Sequence, residues 1–504
     1  MAEQFDIVII GAGMGGLVCG AVLLREGYSV CIIEKNKQIG GCLQSYARDR
    51  VVFDAGVHYV GSLDKGQNLY QIFKYIGVMD KLKLRRMDMD AFDRILIEGD
   101  PKEYRFAQGY DNFIAQLLKD FPEEENAIRK YCALMQEVCE RFPLYRLRSG
   151  SDGSEKEAVL GWDTKTLIDS LTTNPTLRAV LAGNNWLYAG QPEKTPFYVH
   201  ALILNHYIES AWKCLDGGSQ IGHLIAKDIR YRGGVILRDT EVKRMAEENG
   251  QIVFAELSDG SRVYGKNFIS NVHPAKTLAM TETDQIKPVY RKRIRGLENS
   301  ISSFTINVVL KKDCREYINS NYYFQKSGAT WSLTDYTEAN WPLGWGIFFA
   351  AGSKMNQYAD GLTILTYMRF EEVEAWADSY NTVSSVNSRG ETYEAFKQRK
   401  AEKLLDEVEK RFPGFRSCVD RYYTTSPLSF RDYIGNDDGS MYGIVKDYRD
   451  PLRTFISPRT KVPNLFLTGQ NLNMHGVLGA SMSGLVTCIA IMGNDSIIDK
   501  VKNA

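Results

Sequence analysis

The chain carries no excess charge of either sign: 62 Lys and Arg balance 62 Asp and Glu over 504 residues. That balance removes the electrostatic basis for nucleic-acid binding, which a strong basic excess or stripe would announce. Proline is scarce at 14 residues, and a hydrophobic content of 44% excludes a disordered chain. Histidine is scarcer still, six in all and none at a metal-ligand spacing such as HExxH, so no metal centre is expected. The nine cysteines (19, 31, 42, 132, 139, 214, 314, 418 and 488) are odd in number, scattered, and without a CxxC pair. They read as reduced, and the chain as cytoplasmic. Met1 to Asp6 contains no basic residue, so the apolar run after it lacks the positive start of a signal peptide. Repeats and low-complexity tracts are absent. What is present is length for roughly three domains, and 28 Tyr with 22 Phe, a composition suited to enclosing something large and apolar.

Ile7 to Leu24 has no charged residue and imitates a membrane span in length. Its internal pattern predicts a βαβ unit instead. Asp6 to Ile10 is a β-branched strand, Gly11-Ala-Gly-Met-Gly-Gly16 a turn, Leu17 to Glu26 a helix ending at Gly27, and Ser29 to Ile33 a second strand stopped by Glu34. In such a unit Gly11 permits the tight turn, Gly13 lets backbone approach a pyrophosphate, and Gly16 lets helix pack on strand. Glu34 stands where a carboxylate binds the adenosine ribose and repels a 2′-phosphate, which disfavours NADP there. A second glycine pair, Gly40-Gly41, makes another close backbone approach soon after. That suits a cofactor lying extended across the domain, as FAD does.

The stretch Phe53-Asp-Ala-Gly-Val-His-Tyr-Val-Gly61 follows. With the opening sixty or so residues it resembles the FAD-binding start of the phytoene desaturase, carotenoid isomerase and retinol saturase family, most of all the retinol saturase branch. The resemblance returns at Leu215-Asp-Gly-Gly218, Tyr231-Arg-Gly-Gly234 and Glu241-Val242, and then at Ile252 to Ser261, where Asp259-Gly260 is also an independent two-residue hairpin signal. It returns again at Pro427 to Tyr433, Gly439 to Gly443, Asn464 to Gln470 and Gly476 to Gly484. The form Thr468-Gly-Gln470 favours the saturase branch, since many related flavoenzymes carry an acid at the last position.

The resemblance implies an α/β fold, a Rossmann-like FAD-binding domain of amine-oxidase type with a discontinuous α+β substrate domain. The cofactor segments fall at 1–75, 215–275 and 420–504, and the substrate segments at 76–214 and 276–419. It implies non-covalent FAD held by Gly11, Ala12, Gly13, Gly15, Gly16, Glu34, Gly40, Gly41, Cys42, Gly56, Val57, His58, Val242, Gly469, Gln470, Val477 and Leu478. Val242 would lie against the adenine, and Val477 and Leu478 by the isoalloxazine. Gly476 to Gly493 is a second uncharged run, read as a small-residue core helix in preference to an interfacial anchor.

The first insert reads as helical at Asn68 to Val78, Gly109 to Phe121 and Glu124 to Phe142, with a loop at Ser149 to Ser154 that suits an entrance. Phe197 to Tyr207 is its most apolar part, either a tunnel wall or an ordinary buried helix. In the second insert Ser303 to Leu310 alternates as a half-buried strand, and Tyr393 to Phe412 is a charged amphipathic helix stopped by Pro413-Gly414. Basic clusters Lys81 to Arg86 and Arg291 to Arg295 are solvated faces or peripheral membrane contacts.

The expected activity is oxidoreduction at a C=C bond of a hydrophobic polyene lipid. Saturation would join a hydride from reduced flavin N5 to a proton, with redox-neutral isomerisation or desaturation on the same residues as alternatives. Candidate proton donors are His58, Tyr59 and His475; His200, His206, His223 and His273 are assigned structural roles. No second nucleotide fingerprint is evident, so electrons would come from an external donor or transient NAD(P)H. A flavin amine oxidase and a non-catalytic prenyl-lipid carrier of the same fold remain open.

Overall fold

The uncharged opening run folds as strand, turn and helix in the computed structural model, which describes residues 4–150, 153–354 and 357–504. The first three residues of the charge reading on Met1 to Asp6, and residues 151 and 152 of the loop at Ser149 to Ser154, lie outside the described residues. Strand Gln4–Ile10 is followed by helix Met14–Arg25 and strand Val30–Ile33, parallel to the first. Right-handed crossover through a helix is the standard way to join parallel neighbours.

Around this unit a seven-stranded sheet draws on distant parts of the chain. Its order is Val235–Leu237, Val30–Ile33, Gln4–Ile10, Arg262–Ser270, Gln251–Leu257 and Val242–Glu248, and Leu465–Leu467 adds beside Arg262–Ser270. At its centre Ile7 to Ile10 and Val30–Ile33 are apolar and buried at every position, as burial on both faces requires. The turn at Asp259-Gly260 differs from the two-residue form. Gly260 N–H bonds to Leu257 C=O and Leu257 N–H to Ser261 C=O, so Ser258 to Gly260 form a three-residue loop, with Gly260 at φ +83°.

A second seven-stranded sheet runs Val419–Thr425, Ser302–Leu310, Gly361–Met368, Gly344–Phe349, Asn321–Gln325, Asp93–Ile97 and Tyr104–Phe106. The expected segment start at 420 lies within its first strand. Strand Ser302–Leu310 is not half-buried: all nine positions are buried. Phe304, Ile306 and Val308 pack with Leu404, Leu405 and Val408 of helix Gly390–Arg411. The opposite, polar face is covered by the Ser45–Asp54 hairpin, where Asn307 donates to Tyr46 and accepts from Thr363 at 2.7 Å. Alternation in the sequence records two different covers here, not one cover and water.

The cysteines also depart from expectation. Cys314 and Cys418 are disulfide-bonded, with Cα atoms 5.5 Å apart, because antiparallel pairing brings Leu310 opposite Val419. The other seven form no disulfide among the described residues.

The expected helices of the first insert form at Asn68–Tyr75, Tyr110–Asp120 and Glu125–Glu140. The second uncharged run is helix Gly476–Met492, and it packs on Met14–Arg25 through small residues. A Cβ on Gly484 would lie 2.9 Å from Val18 Cγ1 and 3.1 Å from the Gly15 carbonyl. Among the described residues no helix is long and apolar enough to cross a membrane. Gly484→Val therefore overfills this contact, and urea denaturation of the variant is expected to show a loss of about 1–3 kcal/mol; unchanged stability would mean the two helices can separate freely.

Candidate active site

Three chain segments converge at the first turn. Gly11 has φ +96°, and a Cβ on Gly16 would sit 2.2 Å from the Gly11 carbonyl. The helix then begins at Met14 with no side-chain cap and no acid in its first turn, leaving its N–H groups and partial positive charge directed at the space before them. Gly40-Gly41 pack against the turn itself: Gly40 N–H bonds to the Ala12 carbonyl at 2.9 Å, and a Cβ on Gly41 would lie 3.3 Å from Gly13 Cα. Gly469, at φ +97°, closes from the third side, within 2.9 Å of where a Gly15 Cβ would be. Asn271 stands between them, its amide 2.5 to 2.8 Å from the Cβ positions of Gly13, Gly15 and Gly469. Sequence reasoning missed Asn271, whose only signal was its position directly after an apolar strand.

Glu34 is oriented by the same turn. Its two carboxylate oxygens accept Ala12 N–H at 2.8 Å and Asn36 N–H at 2.9 Å, and burial raises its pKa. It borders one large cavity of about 1420 Å³. The same cavity is lined by Gly11, Gly13, Gly15, Gly40, Gly41, Cys42, Gly56, Val57, His58, Tyr59, Val242, Gly469, Gln470, His475, Val477 and Leu478. Ala12 and Gly16 do not line it; they act through backbone contacts behind the turn. Helix Gly476–Met492 also starts without a side-chain cap, and its first turn faces the cavity through Val477 and Leu478.

Beyond this cradle the cavity is walled by rings. Tyr59 stacks on Tyr207 at 4.2 Å, His58 on Phe348 at 4.2 Å, and Tyr323 meets Phe348 edge-on at 5.7 Å. Helix Phe197–Glu209 contributes Tyr198, Leu202, Ile203, His206 and Tyr207 to the wall while Phe197, His200, Ala201, Leu204 and Ile208 are buried away from it, so both readings of that segment apply to different faces. At the far end Arg148, Gly153, Lys156, Leu452 and Phe455 line the cavity, and Leu452 and Phe455 are 78% and 48% exposed, which marks the mouth. The loop read as an entrance borders it through Gly153.

The histidines divide by their bonds. His200 bridges Tyr131 and Tyr188 in the core. His206 accepts Gly61 N–H at 3.0 Å and meets Ser62 Oγ at 2.8 Å, yet it also lines the cavity, as does His273. His475 Nε2 lies 2.7 Å from the Leu187 carbonyl, and burial holds the ring's pKa down at about 4. His58 Nε2 is buried without a partner, and burial pushes its pKa down to about 3. Near neutral pH both rings are uncharged. Among the described residues, no group of His, Cys, Asp and Glu is placed to hold a metal ion.

Two groups behind the wall were not foreseen. Asp93, fully buried, accepts from Asn321 at 2.9 Å, Asn184 at 2.8 Å and Tyr59 at 3.0 Å. Burial raises its pKa to about 7. Lys213, 1% exposed, donates to the Phe349 carbonyl at 3.1 Å, and burial lowers its pKa to about 7. Each is a charged residue set in an apolar strand, a signal visible in the sequence but without direction. Lys446, half-buried, donates to the carbonyls of Thr454, Asn471 and Leu472, tying the mouth to the Gln470 loop.

Of the two basic clusters, Arg86 pairs with Asp64 and Arg291 binds the carbonyls of Leu278, Thr281 and Thr283. Arg293 donates to the carbonyls of Arg453 and Phe455, which puts its cluster beside the mouth.

Residues 9–76 match the model of the NAD(P)-binding Rossmann-like domain. Across 98% of its length the chain is 25% identical to all-trans-retinol 13,14-reductase of Danio rerio, covering 87% of that protein. Across 96% it is 22% identical to the chloroplastic prolycopene isomerase of Daucus carota, covering 79% of that protein. The solved structure of cyclohexylamine oxidase from Brevibacterium oxydans IH-35A aligns with a TM-score of 0.62 at 14% identity, covering 97% of this chain and 99% of that one. The fold is thus the α/β, Rossmann-like type expected, with the layout of an amine oxidase. The resemblance to retinol saturases and carotenoid isomerases extends over nearly the whole chain.

Asp93 gives stability a defined pH dependence. Its native pKa lies above the ordinary 3.8, at about 7. Between those values the native state holds a proton that the unfolded chain has released, so this group's stabilisation is complete at low pH and is lost as pH rises through about 7. Asp93→Asn removes the titration. Melting temperatures from pH 4.5 to 8 are expected to fall less steeply in that variant than in wild type, and parallel curves would place the proton elsewhere.

Proposed function

We propose that the chain is a FAD-dependent oxidoreductase acting on a C=C bond of an isoprenoid or related polyene lipid, with saturation favoured over isomerisation. The observation that carries this reading is the single cavity of about 1420 Å³ joining the glycine cradle to an aromatic arm with an apolar mouth. It exceeds the roughly 300–1,000 Å³ of an ordinary small-molecule site, and so suits a cofactor and a long apolar substrate together. Segments 1–75, 215–275 and 420–504 are read as the cofactor domain, and 76–214 with 276–419 as the substrate domain.

The cradle fits FAD because a Cβ at Gly13, Gly15 or Gly469 would intrude where the turn closes. The uncapped helix starting at Met14 would face the pyrophosphate, Glu34 the adenosine ribose and Val242 the adenine. Gln470 would lie near the ribityl and phosphate atoms, and Val477 and Leu478 by the isoalloxazine, all non-covalently. Bound FAD supplies two-electron transfer at a C=C bond; the chain's residues do the rest. Tyr59, Tyr207, Tyr323 and Phe348 bracket the polyene, exclude water, and offer π faces to positive charge spread along it. The uncapped start of Gly476–Met492 favours negative charge nearby. Neutral His58 and His475 position the wall. Among the three donors considered, Tyr59 is the one whose proton has a connected source. Electrons enter from an external donor or NAD(P)H.

The expected protein is yellow. After anaerobic reduction with dithionite, incubation with retinoids and carotenoids should yield product heavier by two hydrogens; unchanged mass with a new retention time would reassign it as an isomerase. Peroxide release from polyamines would instead favour an amine oxidase, and a colourless protein a lipid carrier. Peripheral membrane contact is read at the mouth, where exposed Leu452 and Phe455 adjoin Arg453 and Lys156 lies over the Phe455 ring. Flotation with anionic liposomes should be lost in high salt and weakened in a Leu452→Ser, Phe455→Ser double variant; flotation indifferent to both would rule out this face.

A further inference from the structure

We propose that Asp93 is the proton reservoir of the cavity, feeding substrate through the hydroxyls of Tyr59 and Tyr323. This deepens the reading of the chain as a C=C-reducing enzyme and rests on it. Asp93 opens the strand Asp93–Ile97 beneath the aromatic arm. Tyr59 Oη lies 3.0 Å from Asp93 Oδ2 and 3.0 Å from Tyr323 Oη, so three oxygens form one continuous chain. Tyr59 and Tyr323 both line the cavity, whereas Asp93 does not.

The direction of this chain depends on one proton. With Asp93 protonated, its O–H donates to Tyr59, Tyr59 donates to Tyr323, and the Tyr323 O–H is left for the cavity. With Asp93 ionised, Tyr59 donates to the carboxylate and Tyr323 to Tyr59, and no hydrogen points at a substrate. Asn184 and Asn321 donate to the carboxyl in either state and hold it in place. The groups that face Asp93 are Tyr59, Tyr323, Tyr207 from helix Phe197–Glu209, and Lys213 from strand Ala211–Cys214. Among the described residues none forms an ion pair with it within 4 Å, so an ionised Asp93 is poorly compensated. Lys213, whose charged form burial disfavours, interacts with both Asp93 and Asp54, a carboxyl that accepts from Gly218 N–H and Ser45 Oγ. Burial is the main reason Asp93 keeps its proton, and the donors Asn321, Asn184 and Tyr59 offset it only in part, which puts its pKa at about 7.

In the step, a C–H bond forms at one alkene carbon as the Tyr323 O–H bond breaks. Tyr323 takes the hydrogen of Tyr59, Tyr59 takes that of Asp93, and Asp93 is left as carboxylate. The pair for this bond is the π pair of the alkene, and bound reduced cofactor would supply a hydride, with its own pair, to the other alkene carbon. Asp93 regains its proton from solvent before the next turnover. Tyr323 is then the catalytic residue and Asp93 a positioning residue that acts through it.

Infrared difference spectra across pH test the reservoir without any substrate. Wild type should show a protonated-carboxyl band that disappears as pH rises through about 7; the band should be missing in Asp93→Asn and kept in Tyr323→Phe. Anaerobic reoxidation of the dithionite-reduced protein by all-trans-retinol tests delivery. The wild-type rate should fall over the same pH range, Tyr323→Phe should be slower on the order of 10²-fold, and Asp93→Asn slow and independent of pH. The same band in wild type and Asp93→Asn, or an Asp93→Asn protein with the wild-type rate and profile, overturns the proposal. If no polyene reoxidises wild type, the substrate reading fails and delivery with it, while the infrared result alone decides whether Asp93 stores the proton.

Discussion

Everything in this molecule is arranged around a contact of backbone with backbone. Gly13, Gly15, Gly41 and Gly469 come from three parts of the chain and meet where no side chain beyond hydrogen fits. Asn271 fills the remaining gap with an amide. Because the approach is so close, the segments that carry these glycines must be held in register by the sheet. The parallel pairing of Gln4–Ile10 with Arg262–Ser270, and of that strand with Leu465–Leu467, does this. The glycine cradle and the centre of a sheet are here one construction.

The aromatic arm obeys a different constraint. Rings stacked at 4.2 Å make a dry wall, and a dry wall changes every ionisable group behind it. His58 and His475 lose their charge, Tyr59 and Tyr323 have pKa values well above the ordinary one for a phenol, and Asp93 keeps its proton to about neutral pH. The residues that resemble acids and bases in the sequence therefore exchange roles once buried. Histidine, the usual proton carrier near pH 7, is silent, and a carboxyl takes its place.

What could be read in advance follows from this division. The opening βαβ unit was legible because its signals are local: β-branched runs, glycine spacing and an acid at the end of a strand. The strand, glycine turn and helix form where the pattern predicts and Glu34 follows the second strand, and the helix at Gly476 replaced a false membrane span for the same reason. Ser302–Leu310 was misjudged because periodicity reports a change of environment across a strand and cannot tell water from a hydrogen-bonded hairpin. Cys314 with Cys418, Asp93 with Tyr59, and Asn271 with Gly469 were invisible because each depends on pairing between strands far apart in the chain. Tyr323 had no local mark at all among 28 tyrosines.

The order in which the site's parts occur along the chain has a consequence for synthesis. The turn at Gly11 is made first, but Gly469 and the helix from Gly476 that close the cradle are made last. During translation the early strands and the Met14–Arg25 helix, whose partner surface is Gly476–Met492, must wait with apolar faces uncovered. Domains of this discontinuous kind gain little from emerging gradually. The glycine cradle is completed only after Gly469 and the helix from Gly476 have left the ribosome, so production in cells should depend on chaperones that shield the nascent strands and the Met14–Arg25 helix until then.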